Sequence, residues 1–238
     1  MQTASLNYGL TKKTYPFAPI ESFSVTDVVL TRAAPDVLAA TYKVSLPDRI
    51  DRKTGAVMSG QSLPRLTVLR WNPKKALWQI VSHADYDSVE GTLCGFKPAP
   101  LPPRSRFKAS DVALGKIIMN EMIDTMLAGD HRNLYTPGHQ VMFASGERSA
   151  GTPITTLKRR VQPVNLEAIR SDRIIAIRYD IDNALQVNHG ALASPSNPRL
   201  MTYYLNDKNE WRLVGSAVLA VSAKTATDAK CIEPPKKN

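Results

Sequence analysis

The residues best suited to chemistry are His83 and Asp85, in the run Trp78-Gln-Ile-Val-Ser-His-Ala-Asp85. Alternate side chains of an extended strand share a face, so this histidine and carboxylate stand side by side, with Gln79 and Val81 before them. If that face lines a pocket, the imidazole can act as general base and the carboxylate can orient it, as in cofactor-free proton transfer. The plainer expectation is that both sit where the strand emerges or where the two units pack, bonded to each other or to backbone. Tyr42, Arg70 and Tyr179 are the candidate ligand-binding residues. The two phenols read as core aromatics whose hydroxyls reach a partner or the mouth of a pocket. Arg70 either meets a ligand carboxylate or, as the plainer expectation, forms a salt bridge on the sheet's outer face.

Other chemistries find little footing. His131 and His139 are eight apart around an expected turn, and His189 lies in an expected loop. HxxxH, HExxH and CxxC spacings are absent, and no glycine-rich phosphate cradle occurs, so neither a metal nor a cofactor is expected. Ser145 lacks the flanking glycines of a nucleophile elbow.

The elements that must position His83 and Asp85 come from Pro64 to Asp87, PRLTVLRWNPKKALWQIVSHADYD, and a variant returns at Pro198 to Val221. Each reads as a strand, a turn built on Asn72 or Asn206, and a second strand opened by tryptophan. Trp78 and Trp211 lie 133 residues apart, Pro64 and Pro198 134, and Tyr42 and Tyr179 137, so the register holds across half the chain. This predicts a tandem repeat.

Before the first copy, Glu21–Arg32 and Val37–Leu46 read as strands joined at Ala33–Asp36. The polar stretch Pro47–Leu63 reads as an exposed loop. Four prolines between Cys94 and Phe107 mark a linker. Ser110 then caps a helix from Asp111 to Ala128, ended by Gly129, with Leu114, Ile117, Ile118, Met122 and Met126 as its apolar stripe. A turn at Thr136–Gly138, a strand at Gln140–Ala144, a short helix at Pro153–Arg160 and a strand pair Val161–Arg170 and Arg173–Asp182 precede the second copy. Lys224–Asn238 reads as a mobile tail.

Leu127-Ala-Gly-Asp130 at the helix end, Phe143-Ala-Ser-Gly146 on the next strand and the Trp-x-Ile/Leu-Val of the last strand together resemble the nuclear transport factor 2-like superfamily, which includes ketosteroid isomerases and SnoaL-like cyclases. The resemblance covers Asp111 to Val221 fully, and Gln2 to Asp87 without an opening helix. It implies an α+β fold of two tandem cone-shaped units, each a curved antiparallel sheet with helices, the first lacking its N-terminal helix. The expected domains are a truncated unit at 1–93, a proline-rich linker at 94–108, a complete unit at 109–222 and a tail at 223–238. The two units would form an intramolecular pseudo-dimer. A sheet without its helix would bare a large apolar surface, so either the chain is trimmed from a longer protein or a second copy covers the gap.

With 238 residues and a net charge of +10, the chain is long enough for two such units and basic enough to raise the question of nucleic acid. Its lysines and arginines are scattered over separate elements, so a solvated basic surface is the expectation and nucleic-acid binding the third choice. No stretch is apolar for long enough to span a membrane, and MQTASLNYGL shows no leader. Export would follow from a longer precursor, and the compartment stays open. Cys94 and Cys231 either remain separate thiols or form a disulfide stapling the units in an oxidising compartment. Two functions therefore lead. One is a module that binds a small apolar molecule or serves assembly without catalysis; the other is an isomerase, cyclase or lyase using His83 and Asp85.

Overall fold

A computed structural model of the chain describes residues 22–50, 57–58, 61–85, 107–130, 134–142, 148–150, 160–181, 199–218 and 231–232. Strands β1 (Ser24–Ala34), β2 (Val37–Leu46), β5 (Gln61–Asn72) and β6 (Leu77–Asp85) form an antiparallel sheet in the order β1-β2-β5-β6, sheet one. Helix α1 (Ala109–Leu127) precedes a second sheet, built from β7 (Tyr135–Met142), β8 (Arg148–Ala150), β9 (Pro163–Ser171), β10 (Ile174–Ile181), β11 (Arg199–Leu205) and β12 (Trp211–Val218). Its order is β8-β7-β12-β11-β10-β9, antiparallel except where β7 runs parallel to β12.

Local chemistry explains the hairpins. Asn72 Oδ1 accepts from the amides of Lys74 (3.0 Å) and Lys75 (3.2 Å), and Asn206 Oδ1 from those of Lys208 and Glu210 (both 2.9 Å). Each asparagine thus satisfies the donors a tight turn leaves over. The helix end is equally specified: Gly129 takes φ +74°, its amide bonds to Met126 O, and Asp130 N bonds to Thr125 O. This double closure needs a residue without a β-carbon penalty. At the other end the N-cap is Lys108 with no side-chain cap. Ser110, expected there, instead bonds to Asp111 within the first turn.

The two sheets share a core. Leu66 and Ala84 of sheet one pack with Met142, Ala176, Leu200 and Ala217 of sheet two. Ala33, Val37, Ala39 and Val68 pack with Ile174, Tyr204 and Val214. Polar groups cross the same gap: Ser82 Oγ lies 2.6 Å from Thr202 Oγ1, and the buried Gln140 amide donates to Val29 O (2.9 Å) and Ala39 O (2.8 Å). The approach is close enough to require glycine. A β-carbon on Gly138 would stand 2.3 Å from the Arg32 carbonyl oxygen, and one on Gly215 would stand 3.2 Å from both Leu66 and Val68. The far face of sheet two is covered by α1, whose Ile118, Met119, Met122, Ile123 and Met126 pack on Ala168, Ile175, Ile177, Tyr179, Met201, Tyr203 and Leu213. Gly115 lets the helix descend on Ala168, 3.0 Å from the place a β-carbon would occupy. Ile117, expected in the apolar stripe, is exposed, while Met119 and Ile123 are buried.

The expected α+β pair of tandem cones with helices in each unit is therefore overturned. The described residues are mainly strand with one helix, and that helix lies on sheet two alone. With this go the nuclear transport factor 2-like and SnoaL-like assignment, the cystatin-like cone and the tandem repeat, since among the described residues a four-stranded sheet without a helix and a six-stranded sheet with a parallel pair are different units. The physical reason is the shared core: strand alternation announces that one face is buried but not what buries it, and sheet one buries its inner face on sheet two. Two smaller expectations also change. Thr136–Gly138 lies inside β7 rather than in a turn. The loop Pro47–Leu63 and the tail contribute β3 (Arg49–Ile50), β4 (Val57–Met58) and β13 (Cys231–Ile232), which pair in the order β13-β4-β3.

Candidate functional site

The face of sheet one turned away from sheet two carries a row of polar groups across three strands. Register places Tyr42 opposite Arg65, Arg65 opposite Asp85, and Thr67 opposite His83. Directly opposed residues of an antiparallel pair share a face, and Leu66 and Val68, which alternate with Arg65 and Thr67 in sequence, point into the shared core. Thr67 Oγ1 lies 3.0 Å from the Tyr42 hydroxyl and 2.8 Å from His83 Nδ1. Thr67 and Arg65 are buried on this face, and Tyr42 and His83 are half-buried. Exposed Val28, Leu30 and Ile80 flank the row.

A bulge in β6 sets this arrangement. Val68 pairs with Ser82 but Leu69 pairs with Ile80, so Val81 is the extra residue. The bulge shifts the alternation: Gln79, expected beside His83, pairs with Arg70 on the other face, while Ile80 joins His83. Ser82, bonded to Thr202 of sheet two, fixes the inward direction on the same strand.

The threonine hydroxyl has one proton to give and lone pairs to accept with. The row can therefore run from the Tyr42 hydroxyl through Thr67 to a basic Nδ1, or from a protonated Nδ1 through Thr67 to the Tyr42 oxygen. Both senses keep every member bonded. Such a relay presents either a donor or an acceptor to a molecule lying on the face, and it can pass a proton over the span of three strands.

Of the residues expected from sequence, the fold brings Tyr42 and His83 together through Thr67 and sets the Asp85 backbone opposite Arg65. Arg70 lies on the opposite face, where its guanidinium bonds to Asp36 Oδ2 (3.2 Å) and Asp172 Oδ2 (2.6 Å), linking the β1–β2 turn to the β9–β10 turn. Burial acts to lower the Arg70 pKa, but the hydrogen bonds and charges of Asp172 and Asp36 outweigh it and hold it above its ordinary value. Tyr179 lies under α1 on sheet two. Burial pushes its phenol up to about 12, partly offset by the Arg199 guanidinium. Cys94 falls outside the described residues, as do most of the expected linker and the expected short helix at 153–160; Cys231 pairs with Met58 along β4.

Sequence reasoning passed over Thr67 and Arg65. The signal was the alternation in Arg65-Leu-Thr-Val, where polar residues occupy every second place on a strand whose other face is apolar.

Among the described residues no group of three or more His, Cys, Asp or Glu is placed to hold a metal ion. No described helix is long and apolar enough to cross a membrane. No protein-family model matches the chain, and no curated protein matches it.

Proposed function

We propose that the protein is a module that binds a small, largely apolar molecule carrying an oxygen function, on the face of sheet one that holds Tyr42, Thr67 and His83. The observation behind this reading is the Tyr42–Thr67–His83 row, a hydrogen-bonded polar track bordered by Val28, Leu30 and Ile80. Apolar flanks with a few convergent polar groups are the usual composition of a small-molecule site. Native mass spectrometry of protein purified from its source tests it. The expected result is a species heavier than the chain by a small-molecule mass, with the added mass lost from Thr67→Val protein of unchanged circular dichroism. Retention of the ligand by Thr67→Val would overturn the reading.

A second reading, cofactor-free proton transfer, is favoured by the Nδ1 bond to the hydroxyl row, since a tethered imidazole is an oriented one. Here His83→Ala and Asp85→Asn abolish turnover of the recovered ligand while folding is preserved. Unchanged turnover in both variants would leave only the binding role.

A further inference from the structure

A second set of polar groups lies on the other side of the molecule, between α1 and sheet two. Register pairs Tyr179 with Arg199 on adjacent strands. Tyr179 belongs to the core beneath α1, and Leu200, next to Arg199, faces sheet one, so Arg199 shares the helix-side face with Tyr179. Arg199 Nε is buried without a hydrogen-bond partner. The Tyr179 hydroxyl has Met201 Sδ at 3.5 Å, and the Tyr203 hydroxyl has Met122 Sδ at 2.7 Å and Met201 Sδ at 3.3 Å. Thioether sulfur is a weak acceptor and guanidinium has no acceptor capacity. Among the described residues no oxygen receives the buried Nε of half-buried Arg199, and the two buried phenols have only thioether sulfur, against the general rule that buried polar groups find good acceptors.

We propose that this end of the helix-covered layer is a binding site for the carboxylate head of an apolar acid, read by Arg199 and Tyr179. The fork of a guanidinium matches the two oxygens of a carboxylate, and one fixed positive charge balances a monoanion but not a phosphate dianion. The surrounding Met119, Met122 and Met201 are unbranched and re-pack readily, which suits them to admit a hydrocarbon tail. Because burial holds Tyr179 protonated to about pH 12, its hydroxyl remains a donor at any working pH. The site is separate from the Tyr42–Thr67–His83 row, which lies on the far face of sheet one.

Isothermal titration of the whole chain with decanoate, decanol and decyltrimethylammonium as probes, each below its micellar concentration, tests the assignment. Decanoate is expected to bind at least tenfold tighter than either other probe. Arg199→Met, which keeps the side chain's length, removes that preference and leaves decanol binding unchanged. Tyr179→Phe costs decanoate several-fold. Arg199→Lys, for use if Arg199→Met fails to fold, keeps the charge without the fork and gives an intermediate loss. Equal binding of the three probes, or decanoate affinity unchanged in a folded Arg199 variant, would overturn the proposal. So would loss of decanoate binding in His83→Ala protein, because that result places the probe on sheet one instead.

Discussion

The two outward faces of this molecule solve the same problem differently. Sheet two lays a nineteen-residue helix over Ile175, Ile177, Tyr179, Met201 and Tyr203, and what is polar there is left with sulfur acceptors. Sheet one, on the described residues, carries no helix; it threads a row of oxygen and nitrogen atoms through its centre and leaves Val28, Leu30 and Ile80 exposed at the margins. The difference separates stabilisation by burial from the display of directed polar groups. A closely packed apolar layer contributes free energy in proportion to what it hides, whereas a polar row contributes little net stability and much directionality.

The largest effect should come from cutting into the helix layer. Ile123→Ala, at a fully buried position, is expected to lower unfolding free energy by about 2–5 kcal/mol in urea titration. Ile80→Ala on the exposed margin should stay within about 0.5–1 kcal/mol. Equal losses at the two positions would erase the distinction between the faces.

Alkaline unfolding gives the next largest effect. Tyr179 has its pKa raised by burial to about 12, so the unfolded chain ionises first as pH rises past 10. The folded state then binds more protons than the unfolded state, and stability falls between pH 10 and about 12 by roughly 3 kcal/mol for this group. Tyr203, also buried and raised well above its ordinary value, adds to the same decline. Tyr179→Phe protein should lose less stability over that window in thermal melts; an identical pH profile would contradict the burial argument.

A smaller effect belongs to sheet one. Thr67→Val keeps the shape but deprives both Tyr42 and His83 of a partner, at a cost of about 1–2 kcal/mol. Its signature should be a shifted His83 imidazole resonance in NMR titration, a readout that simple loss of packing would not move. An unaltered resonance would show that the row does not act as one unit.

Much of the local structure was legible because it rests on short-range chemistry. Asn72 and Asn206 announce their turns, Gly129 announces the end of α1, and Ala33–Asp36 lies between two runs of strand formers. What sequence did not disclose depends on partners far away in the chain. The alternation of Leu66 and Val68 shows that a face is covered without naming Ala217 and Val214 as the cover. The bulge at Val81 leaves no compositional mark, so Gln79 was expected on the wrong side and Ile80 was missed. Two-residue strands such as Arg49–Ile50 and Cys231–Ile232 are too short to show any period. Of the site, His83 and Tyr42 were visible as chemistry, while Thr67, which joins them, resembled any strand threonine.

Where β7 passes beneath β1, a lone hydrogen on Gly138 is all that separates its α-carbon from the Arg32 carbonyl oxygen. That spacing makes the joint a tolerance of one atom: substitutions elsewhere in the interface can be absorbed by rotating a side chain, but backbone cannot step aside for a methyl group without prising the halves apart. The mutual alignment of the His83 row and the helix-covered layer is thus held most stiffly at a residue that takes part in neither.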